Sequence, residues 1–200
     1  MKPEIEVKFL NVNHDEVRAK LKALGAKLEH PMRLMRRAMF DYPDNRLQKE
    51  RPHRRLRVRD EGDKITITLK KSGDGDSSYA GEVETIVESF ENMTEILKNV
   101  GLYIYSFQES KRETWMLEGT EVVLDEWPWI RPYIEIEGST EESIKSVAKK
   151  LDFDWIDAVF GSVDAVYRAE YSKMTVDDSV GDLKEVKFDM PIPQYFKERL

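Results

Sequence analysis

Near the start of the chain, Glu4-Ile5-Glu6-Val7-Lys8-Phe9 alternates charged and apolar side chains without a break. Successive side chains of a β-strand point to opposite faces, so a strand satisfies this pattern and a helix, with its period of 3.6, does not. The pattern recurs along the chain. Arg55, Arg57 and Arg59 alternate with Leu56 and Val58, and Lys64, Thr66, Thr68 and Lys70 with Ile65, Ile67 and Leu69. Glu82 and Glu84 flank Val83, while Glu135 and Glu137 alternate with Ile134 and Ile136. Arg112 shares a face with Ser110 and Thr114, and Asp125 shares one with Val123. A chain written this way folds into a mostly antiparallel sheet with one apolar and one charged face.

Strands are expected over residues 4–10, 34–42, 54–60, 64–71, 81–88, 103–117, 121–126 and 132–137. Helical spacing marks 14–25, 92–100, 140–151 and 162–172, with Gly25 and Gly101 as stops and Thr140 as an N-cap. Helices and strands do not alternate regularly, which argues against a doubly wound parallel sheet. The SGDGDSS stretch at 72–78 reads as a loop. Residues 1–175 read as one domain, followed by an acidic, proline-containing tail, 176–200, to which the pattern assigns no fold.

The charges exclude several functions. Without cysteine there is no thiol catalysis, disulfide or thiolate metal site, and the three histidines lack zinc-ligand spacing. A net charge of −7 argues against general nucleic-acid binding. No signal peptide or membrane-length apolar run is present, so a soluble, cytoplasmic protein without a membrane partner is expected. Yet from Arg33 to Arg59 there are nine arginines and one lysine against Asp41, Asp44 and Glu50. Carboxylates dominate the first and last strands, arginine and lysine the middle ones. Exposed ion pairs contribute too little to call for such sorting. An interior that grips a polyanion calls for it: cations meet phosphates, and carboxylates hold a hard metal ion such as Mg²⁺. Two glutamates of a Glu-x-Glu pair then face one space, roughly 7 Å apart.

These motifs, in this order, resemble the CYTH superfamily, the triphosphate tunnel metalloenzymes. EIEVK (4–8) is similar to the family's Glu-x-Glu-x-Lys, LRVR (56–59) to its Leu-Arg-x-Arg, and ITLK (67–70) to its lysine strand. GEVET (81–85), KRETW (111–115) and VVLDEWPWIRPYIEIEG (122–138) resemble its acidic, arginine and C-terminal carboxylate strands. The resemblance implies an α+β fold: an eight-stranded antiparallel closed β-barrel with helices packed outside. It implies a metal-dependent enzyme that hydrolyses the terminal phosphate of an inorganic or organic triphosphate. The alternatives are a class IV adenylyl cyclase making cyclic AMP and pyrophosphate, and a non-catalytic polyphosphate- or nucleotide-binding module.

Carried over residue by residue, Glu4, Glu6, Asp125, Glu135 and Glu137 resemble the ligands of Mg²⁺ or Mn²⁺. Lys8, Arg57, Arg59, Lys70 and Arg112 resemble the cations that bind substrate, with Glu84 at the other acidic position. Glu4, Lys8 and Arg112 are the expected catalytic set. The implied substrates are ATP, inorganic triphosphate and thiamine triphosphate, and the fold admits a homodimer. Ser110 and Ala80 depart from the family by standing where lysine and arginine are common. Trp127 and Trp129, on either side of Pro128, are expected to be packing residues.

Overall fold

The structure is a computed structural model that describes residues 5–72 and 79–200, so Glu4 and most of the SGDGDSS loop lie outside the described residues. The strands are β1 (Ile5–Leu10), β2 (Lys27–Asp41), β3 (Arg54–Asp60), β4 (Ile65–Ser72), β5 (Tyr79–Val87), β6 (Tyr103–Leu117), β7 (Thr120–Glu126), β8 (Tyr133–Gly138) and β9 (Glu185–Val186). The helices are α1 (His14–Ala23), α2 (Arg46–Lys49), α3 (Phe90–Asn99), α4 (Glu141–Lys150), α5 (Val163–Glu170) and α6 (Gln194–Lys197). The hydrogen-bonded order is β1-β8-β7-β6-β2-β3-β4-β5, with β9 added to β6 in parallel. This is the expected antiparallel sheet with helices. Among the described residues no ladder joins β1 to β5, so hydrogen bonds do not close the sheet into the expected barrel. No described helix is long and apolar enough to cross a membrane.

The chain divides into two compact units, and β2 and β6 run through both. The first comprises Met1–Arg33, Ser110–Val180 and Phe188–Leu200. Its core is the apolar face that alternation predicts: Val7 and Phe9 of β1, Ile134 and Ile136 of β8, Val122 and Leu124 of β7. Two amphipathic helices cover it. Val17 and Leu21 come from α1, where the Asn13 side chain accepts from Asp15 N. Ile144, Val147 and Ala148 come from α4, where Thr140 accepts from Ser143 N. Each cap satisfies an orphan helix N–H. The approach of α4 is close: a Cβ at Gly138 would meet Ser143 Oγ at 2.8 Å and Ile144 Cγ1 at 3.2 Å, so those side chains would have to shift.

The second unit comprises Leu34–Glu109 and Gly181–Lys187. Ala38, Phe40 and Val58 on one sheet face pack with Phe90 and Leu97 of α3 and with Leu102. Asp41 is fully buried at the end of β2. Its carboxylate accepts from the Tyr42, Leu47 and Gln48 backbone N–H groups and from the Gln48 side chain, and so anchors α2.

β2 begins seven residues before the expected 34. The early part, Lys27–Arg33, is mostly exposed and contains Pro31, so neither alternation nor strand propensity marks it. The 176–200 tail acquires structure through a few scattered anchors. Val180, Val186 and Phe196 are buried, yet no regular period links them.

Candidate active site

The charged face of the first unit is built by register. Lys8 lies opposite Glu135 and Glu6 opposite Glu137 across β1 and β8. Arg112 lies opposite Asp125 across β6 and β7. Side chains directly opposite on one face interact most strongly. Lys8 Nζ, 2% exposed, reaches Glu6 Oε1 at 2.8 Å and Glu135 Oε1 at 3.2 Å. Arg112 grips Asp125 with Nε at 2.8 Å and Nη2 at 2.5 Å, and the same Nη2 reaches Glu135 Oε2 at 2.9 Å. The Tyr133 hydroxyl donates to Asp125 Oδ2 at 3.3 Å. Glu135 thus sits between two cations, and each cation has a second carboxylate.

Burial and neighbouring charge pull these groups apart. Burial, with the adjacent Glu135, raises Glu6 to about 7. Burial also works against the charged form of Glu135, but Arg112 and Lys8 outweigh it and lower the group to about 2. For Lys8 and Arg112 burial opposes the charge, and the carboxylates beside them more than compensate, so both are raised. Glu6 therefore exchanges its proton near neutrality while Glu135 stays ionised. From its ordinary 4.5 up to about 7, folded Glu6 keeps a proton that the unfolded chain has released. Stability from this group is thus highest in acid and falls as pH rises through that window. Glu135 acts oppositely: its contribution is present above 4.5 and is lost as pH falls toward 2. In metal-free protein, calorimetry should show the midpoint falling between about pH 5 and pH 7, with a smaller fall in Glu6→Gln.

Among the described residues no group of three His, Asp or Glu side chains is arranged to hold a metal ion. What is present is a carboxyl pair of hard oxygen donors, and Glu6 is its open member at 44% side-chain exposure. Mg²⁺ is commonly held by one or two carboxylates, with water and phosphate oxygens completing its octahedron. The donor chemistry of the pair suits an ion of that kind, but Glu135 Oε1 and Oε2 are held by Lys8 and Arg112, which the ion would have to displace. Asp125, expected as a ligand, is 1% exposed and has both oxygens engaged by Arg112. Glu137 lies between Glu6 and Glu121 in the ladder.

In the second unit, Arg55, Arg57 and Arg59 of β3 stand opposite Lys70, Thr68 and Thr66 of β4. Lys70 pairs with Glu82 at 2.7 Å, and Thr68 donates to Glu84 at 2.7 Å. Arg59 lies 3.5 Å from Glu61. Arg57 Nε is buried and makes no hydrogen bond among the described residues, and Thr66 Oγ1, across the ladder from Arg59, is in the same state. Burial lowers the pKa of the Arg57 guanidinium, only partly opposed by Glu82, Glu84 and Glu61. A half-buried cation with a donor to spare is suited to an anion.

The expected residues therefore gather as two groups, one in each unit: Glu6, Lys8, Arg112, Asp125, Glu135 and Glu137, and Arg57, Arg59, Lys70 and Glu84. Ser110 is buried, and the Ala80 side chain lies outside the described residues. Tyr133 was missed, although it lies two residues before Glu135 and so shares its face. Glu82 was read only as one of a pair of acids, because its bond to Lys70 depends on register.

No curated protein matches the sequence. Solved structures do. A conserved hypothetical protein from Pyrococcus furiosus is 23% identical, with a TM-score of 0.60, covering 78% of this chain and 95% of its own. A Vibrio parahaemolyticus protein, provisionally named an adenylate cyclase, is 15% identical with a TM-score of 0.67, covering 82% and 96%. A Hippeastrum protein, provisionally named an adenylyl cyclase and described as having a dominant triphosphatase activity, is 19% identical with a TM-score of 0.54, covering 84% and 96%. These likenesses are of fold. The CYTH domain matches residues 2–156, and the chain belongs to the CYTH family.

Proposed function

We propose that this protein is a divalent-metal-dependent enzyme that hydrolyses the terminal phosphate of an inorganic or organic triphosphate. The observation that carries this reading is the Glu6–Glu135 carboxyl pair held between Lys8, which is buried, and Arg112, which is half-buried. Such a cluster takes a metal ion and a phosphate together: the carboxyl pair accepts the cation, and the released ammonium and guanidinium turn to the anion. Phosphoryl transfer asks the protein chiefly for positioning and charge stabilisation, which this network provides in advance.

Glu6 and Glu135 would hold Mg²⁺ or Mn²⁺, with Glu4 and Glu137 as further donors and Asp125 holding Arg112. When bound, the ion would neutralise phosphate oxygens and increase the electrophilicity of the terminal phosphorus. Lys8 and Arg112 would donate to oxygens of the transferred group, and Glu4 would orient the attacking water. The water oxygen forms a bond to the terminal phosphorus, the bond from that phosphorus to the bridging oxygen breaks, and the water proton passes to a carboxylate or to solvent. In the second unit, Arg57, Arg59 and Lys70 are the proposed phosphate-binding cations, with Glu84 fixing Thr68. Family membership supports a triphosphate-processing enzyme and does not separate a hydrolase from a cyclase.

The test is a panel of ATP, inorganic triphosphate and thiamine triphosphate with Mg²⁺ or Mn²⁺, with products identified. Orthophosphate release from at least one of them, dependent on metal, is expected. Cyclic AMP with pyrophosphate would replace this reading by a cyclase, and metal-assisted binding without product would replace it by a binding module.

A further inference from the structure

The turn from Asp125 to Tyr133 contains Trp127-Pro128-Trp129. Trp129 has φ of +67°, the left-handed region that bulky side chains rarely occupy. Backbone of this kind persists only where its surroundings hold it. Here they do. The Tyr171 hydroxyl donates to the Trp129 carbonyl at 2.5 Å, and the Tyr167 hydroxyl to the Pro128 carbonyl at 2.7 Å. The Trp129 indole N–H donates to the Met190 carbonyl at 2.9 Å. Phe196, fully buried, packs against Trp129, Tyr167 and Tyr171 with ring centroids 5.7, 5.0 and 4.6 Å away. The C-terminal segment is itself anchored, since Asp178 accepts from the Tyr195 hydroxyl and Arg199 Nε.

Both ends of the turn enter the ion network. Asp125 and Tyr133 are the ladder pair adjoining it, and the two side chains are hydrogen-bonded. The Tyr133 carbonyl accepts from His14 Nε2 at 3.0 Å, which fixes the far end. Asp125 in turn carries the Arg112 guanidinium, whose Nη2 also reaches Glu135. The turn is therefore joined to Arg112 through Asp125.

We infer that Tyr167, Tyr171 and residues 188–200 form a positioning device for Arg112, holding the Trp129 turn in its left-handed conformation and so fixing Asp125 and the guanidinium it grips. The catalytic consequence rests on the function proposed above; the positioning does not. Burial, with the charge of Glu170, raises the Tyr171 phenol, so it remains a donor. The device gives the C-terminal tail a role in holding the turn beside the ion network.

The experiment is the double variant Tyr167→Phe/Tyr171→Phe in the full chain, which keeps both rings and removes only the two donors. Amide exchange over 126–131 should accelerate about tenfold, the scale of two neutral hydrogen bonds, while exchange over 54–60 stays as in wild type. The Arg112 Nε–H resonance, ordered by Asp125 in wild type, should broaden. With Mg²⁺ and triphosphate, kcat should fall about tenfold or more with little change in KM, because a misplaced cation fails in the transition state. Asp41→Asn, which destabilises the chain elsewhere, should lower the thermal midpoint without that fall in kcat. Unchanged exchange in the turn, or an unchanged Arg112 signal, overturns the device. So does unchanged kcat in an active enzyme. If wild type hydrolyses no triphosphate, the proposed function fails, and exchange with the Arg112 signal still decides the device.

Discussion

Glu135→Gln is expected to lower metal-dependent triphosphate turnover by about 10²–10³-fold, the scale of losing one preorganised electrostatic contact. The fold should survive. Glu135 lies between Lys8 and Arg112, but Lys8 keeps Glu6 at 2.8 Å and Arg112 keeps its bidentate hold on Asp125. No buried cation is left alone, so the large penalty of an uncompensated charge does not arise. The substitution removes the carboxylate charge proposed to hold the metal and also the neighbour that helps raise Glu6. The pH at which Glu6 releases its proton should therefore move down toward its ordinary range. Steady-state kinetics with circular dichroism as the fold control checks the first part. A carboxyl-labelled NMR titration checks the second. Turnover within a few-fold of wild type would remove Glu135 from the site.

Arg112→Met should have the opposite balance, with stability suffering as well as activity. Asp125 is 1% exposed and loses both oxygens' main partner, keeping only the 3.3 Å bond from Tyr133. A buried carboxylate stripped of its cation costs about 3–5 kcal/mol. For a chain of this size that is on the order of a 10 °C fall in midpoint. The compensating variant Arg112→Met/Asp125→Leu should recover most of that loss, because two apolar groups replace a broken pair, and it should remain inactive. Calorimetry of the single and double variants decides this. A single variant as stable as wild type would mean that the Arg112–Asp125 pairing does not form.

Much of this was legible in the chain because a period of two carries information about faces. EIEVKF and YIEIEG show which side chains point together, and the ladder placing Lys8 opposite Glu135 supplies what they lack. Register is the missing quantity. Nothing in the string says that Arg112 lies opposite Asp125 or that Lys70 meets Glu82, since these depend on turn lengths that are settled only in the folded sheet. The same gap explains Asp125. Read alone it is expected as a metal ligand, and the ladder adds that it holds the Arg112 guanidinium. The early half of β2 was hidden by Pro31 and exposure, and α6 by the isolation of Phe196, a single buried ring in a polar tail. Trp129 was expected to be a packing residue, and it does pack on Phe196. Its positive φ and its carbonyl bond to Tyr171 are tertiary features that no local pattern shows. Closure of the sheet into a barrel is likewise not something alternation can specify.

The most direct measurement is calorimetric titration of inorganic triphosphate into the wild-type protein and Glu135→Gln, each with and without Mg²⁺. The account predicts binding to wild type that strengthens with metal, and loss of the metal-dependent part in the variant. Binding that ignores both the metal and the Glu135 substitution, or no binding at all, would contradict it.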